Sequence, residues 1–378
     1  MKMKNLKTLL QKETVFCVSF LLAVLSAFLV RPDKEYLAYP DYKTIALLFC
    51  LMAIVSGLHA LGIFHMIGQY LLKKAGSFRG LSAIMVLLCF FGSMIITNDV
   101  ALLTFIPFTV LVFRMSGKEQ GILKLVVLET IAANLGSMAT PVGNPQNLYL
   151  YSISGLSMGE FAWAVLPYAG LALLLLMAAV WTGRNELLPE EGKENETANG
   201  LGSETIRKML PFLALLILCL LVVFRILPYL PVLLCVAVVI FIVDRRLFFS
   251  VDYFLLLTFF CFFIFIGNMK RIPEVSSLLV SVVQGRELIT GILTSQVISN
   301  VPAAILLSGF SKDFSALITG VNIGGLGTLI ASLASLISFK CYAREYPGQK
   351  GAFMKAFTLW NIGFLLILTG AAVVLDIF

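Results

Sequence analysis

Three consecutive polar residues, Thr97, Asn98 and Asp99, lie in the middle of an apolar stretch that runs from Gly80 to Met115. Each apolar flank has about 16 residues, whereas a helix needs about 20 to cross a bilayer. Two short apolar arms that meet at a polar tip predict a re-entrant hairpin, in which the chain turns at mid-depth and leaves on the side where it entered. The alternative is a single helix with a polar kink. An acidic residue at this depth is costly, so the tip is a candidate functional site.

The composition assigns the whole chain to the membrane. Of its 378 residues, 59% are hydrophobic and 13% are charged, and long apolar runs recur along the sequence. These values lie outside the range of soluble domains. The net charge of +7 does not indicate nucleic-acid binding, because Lys and Arg lie at the ends of apolar segments, where they act as topology signals. We therefore expect an all-α polytopic membrane protein that contacts the lipid bilayer and no nucleic acid.

A second kind of interruption follows the first hairpin. The apolar span that begins at Ile122 ends in a segment containing Gly136, Pro141, Gly143 and Pro145. Glycine and proline at this density are incompatible with an unbroken helix. The sequence therefore predicts a helix that is broken inside the membrane, over residues 121–150.

The same two features recur later in the chain, which predicts an internal repeat. The pair Ser299-Asn300 corresponds to Thr97-Asn98, and Asn322 follows Asn134 at an offset of 188 residues. We expect a first repeat over 1–182 (hairpin 80–115, broken helix 121–150) and a second over 209–378 (hairpin 272–310, broken helix 313–339). The hydrophilic segment 183–208 between them is predicted to be a cytoplasmic linker.

The distribution of basic residues predicts how the repeats are oriented. With nine full spans, two hairpins and a cytoplasmic amino terminus, 20 of the 28 Lys and Arg residues fall on the cytoplasmic side. The second hairpin then opens to the outside, so the halves are inverted, and both tips and both breaks meet near the midplane. This architecture is typical of secondary transporters. The expected location is the inner (cytoplasmic) membrane, with multiple passes.

The interruptions supply polar groups for a ligand. Broken helices expose free N–H groups at one half-helix and free carbonyls at the other; the former suit an anion and the latter suit Na⁺. The candidate substrate-binding residues are Thr97, Asn98, Asn144, Ser299, Asn300, Val301 and Thr328. The candidate cation-binding or coupling residues are Asp99, Asn98, Gly143, Asn147, Asn300 and Ser332. Asp99 either exchanges a proton or stays ionised on a bound cation. We expect no cofactor, and no metal other than a coupling Na⁺.

The Thr97-Asn98-Asp99 tip, the Gly143-Asn144-Pro145-Gln146-Asn147 break and the Ser299-Asn300-Val301 tip resemble those of the ion transporter superfamily. This group includes arsenite permeases, NhaD-type sodium/proton antiporters, citrate transporters and divalent anion/sodium symporters. In the dicarboxylate branch each tip carries Ser-Asn-Thr and the first break carries Gly-Thr-Pro-Pro-Asn. This chain departs from that pattern at the third residue of each tip, and an Asn-Asp tip is closer to the arsenite permease and antiporter branches.

The resemblance implies elevator-like movement of the hairpin domain against a scaffold of outer spans and linker-adjacent helices, often in a homodimer. The expected function is secondary active transport of a small anion, a dicarboxylate or an oxyanion, coupled to Na⁺ or H⁺. The alternative is a Na⁺/H⁺ antiporter that uses Asp99. A membrane-embedded enzyme would need a nucleophile–base or metal cluster, such as HExxH or paired intramembrane aspartates, and the sequence shows neither HExxH nor paired intramembrane aspartates.

Overall fold

The computed structural model describes residues 13–63, 77–115, 121–183 and 203–377. These residues form α-helices joined by short turns and 3₁₀ segments, so the chain is an all-α polytopic membrane protein, as the sequence predicted. Residues 64–76, with the predicted end of the second span, lie outside the described residues. So does most of the predicted 183–208 linker, and the part that is described, from Ser203 onward, is already helical.

The first half places the predicted interruptions between helices. Its described helices are α1 (Thr14–Leu29), α2 (Tyr42–Ala60), α3 (Phe78–Ile96), α4 (Asn98–Met115), α5 (Ile122–Ser137), α6 (Pro145–Ser154) and α7 (Met158–Trp181). Helices α3 and α4 form the first hairpin and are joined by Thr97 alone. Helices α5 and α6 form the first broken helix, and residues 138–144 separate them. Asn144 accepts a hydrogen bond from the Asn147 N–H and caps α6, while Pro145 occupies its first turn.

The second half repeats this order. Its described helices are α8 (Ser203–Val223), α9 (Tyr229–Asp244), α10 (Tyr253–Lys270), α11 (Pro273–Val283), α12 (Glu287–Ile298), α13 (Asn300–Ser308), α14 (Phe314–Ile323), α15 (Leu333–Glu345) and α16 (Lys350–Ile377). The predicted hairpin 272–310 differs from the observed one. Only α12 and α13 form the hairpin, because α11 is a separate helix bent by 110° relative to α12.

The arms of the first hairpin are longer than the sequence suggested. Helix α3 has 19 residues and α4 has 18, or about 28 and 27 Å at 1.5 Å per residue. By length and composition five described helices could cross a membrane: Tyr42–Ala60, Phe78–Ile96, Met158–Trp181, Tyr253–Lys270 and Pro347–Leu375. Several helices that the sequence predicted as spans are shorter than the about 20 residues that a crossing helix needs; α1 and α9, for example, have 16 residues each.

The helices pack in two groups. A peripheral group consists of α1, α2, α8, α9 and α10, which pack on one another. A central group consists of both hairpins, both broken helices, α7 and α16. The two groups meet where α2 packs on α6 and where α10 packs on α13. Helices α7 and α16 were expected in the scaffold, as a linker-adjacent and an outer span. They instead pack on the broken helices.

Within the central group, glycine allows the hairpin and the broken helix to approach closely. A Cβ atom added to Gly136 of α5 would lie 2.1 Å from the Phe90 carbonyl oxygen of α3. In the second half, a Cβ atom on Gly324 would lie 2.9 Å from the Ile292 Cα atom of α12. In each half, the backbone of one hairpin helix therefore packs directly against a glycine of the neighbouring broken helix.

We expect Gly136→Ala to lower the free energy of unfolding by about 1–3 kcal/mol, because the new methyl group meets backbone that cannot move aside. Gly170→Ala in α7 is the matched control: nothing lies within 4 Å of its added Cβ atom. It is expected to gain about 0.5–1 kcal/mol from the higher helix propensity of alanine. Thermal unfolding in detergent measures both. Equal melting temperatures for the two variants would contradict this packing.

Candidate functional site

The two hairpin tips have the same strained backbone. Thr97 has φ +70° and ψ 154°, and Ser299 has φ +77° and ψ 153°. Residues with a side chain rarely adopt this region, which costs about 1–3 kcal/mol and is concentrated at functional sites. The next N–H of each tip binds a carbonyl of a break: Asn98 N donates to Gly143 O at 3.2 Å, and Asn300 N donates to Ala331 O at 2.9 Å. Each break therefore holds one tip in place.

Both tips line one small cavity. Its lining residues are Asn98, Asp99, Pro145, Gln146, Leu255, Asn300, Val301, Ser332 and Leu333. The cavity volume is about 10 Å³, close to the minimum that a single water molecule needs. In this conformation the site has room for water or a small ion and none for a carboxylic acid the size of citrate.

Four helix N-termini converge on this cavity. Helix α4 begins at Asn98, α6 at Pro145, α13 at Asn300 and α15 at Leu333, and each of these residues lines the cavity. A helix N-terminus carries roughly half a positive elementary charge and unpaired N–H groups. None of the residues lining the cavity is Lys, Arg or His. The positive potential of the site therefore comes from backbone dipoles.

Asp99 is the acidic residue in this positive site. Its Oδ1 atom is buried and has no hydrogen-bond partner among the described residues, while its own N–H donates to Asn98 Oδ1 at 3.0 Å. The carboxylate of Asp252, at the start of α10, acts on it electrostatically. In the part of the chain that the structure describes, no ion pair involves Asp99. One oxygen of this carboxyl group is therefore available to a ligand.

Two buried asparagines join the breaks across the halves. Asn134 of α5 accepts a hydrogen bond from Ser332 Oγ at 2.9 Å and donates one to Ser335 Oγ at 3.4 Å. Asn322 of α14 accepts one from Asn144 Nδ2 at 3.1 Å and donates one to Asn147 Oδ1 at 2.6 Å. We call these residues the crossed amide network.

The network has the pattern that an internal repeat requires. Asn322, Ser332 and Ser335 lie 188 residues after Asn134, Asn144 and Asn147, respectively. In each half, the asparagine thus accepts a hydrogen bond from the residue that caps the second helix of the other half's broken pair. It donates a hydrogen bond to the residue three positions after that cap. Asn98 joins the network from the first tip, since its Nδ2 donates to Asn134 Oδ1 at 3.2 Å. The correspondence supports the repeat, while the membrane orientation of the halves stays a prediction.

The structure brings most of the predicted site residues together. Asn98, Asp99, Asn300, Val301 and Ser332 line the cavity. Gly143, Asn144 and Asn147 hold the first tip and the network behind it. Thr97 and Ser299 form the turns, and the Ser299 hydroxyl donates to Ala331 O at 3.4 Å.

Thr328 does not lie with the others. It is exposed, and its hydroxyl donates to Gln296 O at 3.2 Å, three residues before the second tip. Thr140 makes the equivalent bond to Met94 O at 2.6 Å, three residues before the first tip. The matching offset of these threonines therefore reflects a hydrogen bond from each break to the backbone of the neighbouring hairpin arm. It does not reflect contact with the cavity.

Several residues of this region were not among the predicted site residues. Gln146 lines the cavity, and Asn134 and Asn322 connect the breaks. A signal for both asparagines was present, because a buried amide in an apolar span needs a partner. Glu129, in the apolar segment before Asn134, was also missed and is fully buried.

Comparisons with known proteins place the chain among transporters. Residues 10–314 match the citrate transporter family. The chain is 33% identical to the inner membrane protein YbiR of Escherichia coli over 345 residues, which cover 90% of each chain. It is 33% identical to an uncharacterized transporter of Methanocaldococcus jannaschii over 79% of this chain and 81% of that protein. A silicon efflux transporter of Oryza sativa subsp. japonica is 29% identical over 47% of this chain and 36% of its own length.

Proposed function

Because this chain belongs to the citrate transporter family and is a secondary transporter, we propose that it moves a small anion, a dicarboxylate or an oxyanion, together with H⁺ or Na⁺. It is a multi-pass membrane permease and not an enzyme. The inner (cytoplasmic) membrane, the cytoplasmic amino terminus and a homodimeric assembly are parts of this proposal. The name of the Escherichia coli relative supports the first of these.

The observation that carries the proposal is the convergence of four helix N-termini on one cavity. Backbone N–H groups and positive dipole ends bind carboxylates and oxyanions without basic side chains. Amides of Asn98, Gln146 and Asn300 add further donors, while the Ser332 hydroxyl donates its hydrogen to Asn134. A cation site built from the same residues would have to overcome four positive dipole ends.

Asp99 explains why a cation would travel with the anion. Two unit negative charges 4 Å apart repel by about 4 kcal/mol at an effective dielectric constant of 20. An anion in the cavity therefore binds well only when Asp99 is neutralised by a proton or by Na⁺. The pair of ligands is then bound together, which is the requirement for symport.

The packing of the two helix groups supports an elevator mechanism. The cavity belongs to the central group, and the peripheral group contributes Leu255 of α10 to its wall. Where α6 meets α10 the contact between the groups is apolar, since the Tyr149 ring lies 5.3 Å from the Phe263 ring. Apolar surfaces of this kind have few directional bonds to break when one group slides past the other. Arg225, which follows α8, donates to the Tyr151 and Gly155 carbonyls across the same boundary. The crossed amide network would keep the central group together during the movement.

A second candidate function is Na⁺/H⁺ antiport by Asp99. It is favoured by the unpartnered Oδ1 atom and by the size of the cavity, which fits a small ion. The silicon transporter among the relatives adds a neutral oxyacid to the substrates to be tested, because amides and hydroxyls bind neutral hydroxyl groups as well.

Purified protein in liposomes separates these functions. Accumulation of labelled citrate, succinate or arsenite against its gradient, driven by an inward pH or Na⁺ gradient, is the result expected of the symporter. Proton movement on addition of Na⁺, with no organic anion or oxyanion present, would instead identify the antiporter. Flux of any of these solutes that never exceeds equilibrium would identify a channel and contradict secondary transport.

We expect Asn98→Ala and Asn300→Ala each to weaken citrate binding by about 2- to 10-fold, since one hydrogen bond contributes about 0.5–1.5 kcal/mol. The measurement is the citrate-dependent rise of the melting temperature, which reports occupancy. Thr328→Ala is the control: its hydroxyl faces the Gln296 carbonyl, so the citrate-dependent shift is expected to stay as in the wild type. Loss of the shift in Thr328→Ala, with no loss in the two tip variants, would place the site elsewhere.

A further inference from the structure

A second buried carboxyl group lies outside the cavity. Glu129 is on α5, seven residues after its start at Ile122 and five before Asn134. Its side chain is fully buried. The Thr109 hydroxyl of α4 donates to Glu129 Oε1, and Glu129 Oε2 has no hydrogen-bond partner in the part of the chain that the structure describes.

The described helices that pack against α5 offer Glu129 no compensating cation. Helix α3 presents the Cys89 thiol and α4 presents the Thr109 hydroxyl. Helix α15 presents the Ser338 hydroxyl, which bonds to the neighbouring Thr130. Within the described ranges, no Lys, Arg or His forms an ion pair with Glu129, and none from α7, α14 or α16 acts on it.

This environment determines the protonation of the group. An ionised carboxylate in an apolar interior with one neutral hydrogen bond is far more costly than a neutral carboxyl group. Glu129 therefore carries a proton in this conformation. By the topology predicted from the charges, it lies about 10 Å along α5 from the cytoplasmic end of that helix, between the cytoplasm and the crossed amide network.

We propose that Glu129 binds and releases one proton in each transport cycle, so that H⁺ moves in addition to the ion that neutralises Asp99 at the two tips. This inference rests on the proposed function. In the release step an O–H bond of the carboxyl group breaks, the proton passes to water, and the Thr109 hydroxyl stabilises the carboxylate that remains. Glu129 Oε2 is buried in the conformation described, so release requires one in which water reaches it. Proton movement is thereby linked to the change of conformation.

The test uses three variants of the full chain. Glu129→Gln imitates the protonated side chain and keeps an acceptor for Thr109, so it is expected to fold. Thr109→Val removes the hydroxyl and leaves the carboxyl group. Glu287→Gln changes another buried carboxyl group, whose Oε1 accepts the N–H groups of Lys312 and Asp313.

Infrared spectroscopy of the purified protein at neutral pH tests the protonation without any substrate. We expect the C=O band of a protonated carboxylic acid in the wild type to lose intensity in Glu129→Gln and to remain in Glu287→Gln. A band that is unchanged in Glu129→Gln would overturn the inference, whether or not the protein transports citrate.

Liposomes with an internal pH dye test the coupling, with citrate as the probe. The wild type is expected to move protons with citrate. Glu129→Gln is expected to lose the proton that Glu129 carries and to keep exchange of labelled for unlabelled citrate. Thr109→Val, which no longer stabilises the carboxylate, is expected to slow the proton movement and keep the exchange, while Glu287→Gln keeps both. Wild-type proton movement in Glu129→Gln, or loss of exchange as well, would overturn the inference, and the second result would assign Glu129 a structural role. A wild type that exchanges none of citrate, succinate and arsenite would contradict the proposed function instead, and the infrared result would still stand.

Discussion

Asp99→Asn is expected to remove the pH dependence of anion binding. In the wild type, affinity for citrate should fall as the pH rises, because Asp99 loses its proton and the carboxylate then repels the anion. The variant cannot become charged, so its affinity should stay at the low-pH value of the wild type. At high pH the variant is expected to bind between about tenfold and a thousandfold more tightly, given a repulsion of up to about 4 kcal/mol.

The same substitution should reduce accumulation of the anion. A variant that binds the anion without an ion at Asp99 can exchange citrate across the membrane, but the gradient of that ion no longer drives it uphill. If Na⁺ is the ion at Asp99, the wild type will bind citrate more tightly as Na⁺ rises, and Asp99→Asn will lose that response. The two outcomes distinguish H⁺ from Na⁺ at this position.

Titration calorimetry with citrate over a range of pH and Na⁺ concentrations measures these effects. Asp252→Asn is the control, because it removes the neighbouring carboxylate and keeps an oxygen that can cap α10. It is expected to preserve the pH dependence with at most a small displacement. A wild-type pH profile in Asp99→Asn would remove Asp99 from the coupling.

The sequence predicted the tips and breaks because their signals are local. Polar residues such as Asn98 and Asn300 interrupt apolar stretches, and proline and glycine interrupt α5–α6. Helix ends were less predictable. Helix α3 begins at Phe78, where the Ser77 hydroxyl accepts the Gly80 N–H, and this cap lies outside the apolar stretch. Helix α8 likewise begins within the polar segment that was assigned to the linker.

The contacts between the halves could not be predicted from the sequence. Ser332 lies 198 residues from its partner Asn134, and Asn322 lies 178 residues from Asn144. No local pattern relates residues at that separation. Thr328 shows the limit of a sequence offset. Its offset of 188 residues from Thr140 indicated that the two threonines occupy equivalent positions, but it did not indicate which carbonyl each hydroxyl contacts. The convergence of four N-termini also depends on how the tips and breaks are arranged in space.

The crossed amide network leads to the second large effect. Asn322→Ala leaves Asn147 Oδ1 without its donor and one hydrogen of Asn144 without its acceptor. An average hydrogen bond between membrane helices contributes only about 0.6 kcal/mol. A buried polar group left unsatisfied costs about 1–3 kcal/mol, so two such groups cost about 2–6 kcal/mol. Because Asn144 and Asn147 are at most 1% exposed, water does not replace the lost amide, and we expect the larger value.

Asn134→Ala should lower the free energy of unfolding by a similar amount, because Asn134 has equivalent partners in Ser332 and Ser335. The substitution also removes the oxygen that accepts from Asn98 Nδ2. Asn361→Ala is the matched control. Asn361 is an equally buried amide: among the residues described, its Nδ2 bonds only to Phe357 O of its own helix and its Oδ1 has no partner. Asn361→Ala should lower the free energy of unfolding by less than about 1 kcal/mol.

Thermal unfolding compares the three variants. Citrate exchange should be lost in Asn322→Ala and Asn134→Ala and kept in Asn361→Ala. If all three variants lowered the free energy of unfolding equally, a bond within one helix would contribute as much as the bonds between the two breaks. That result would contradict the conclusion that the network joins the halves.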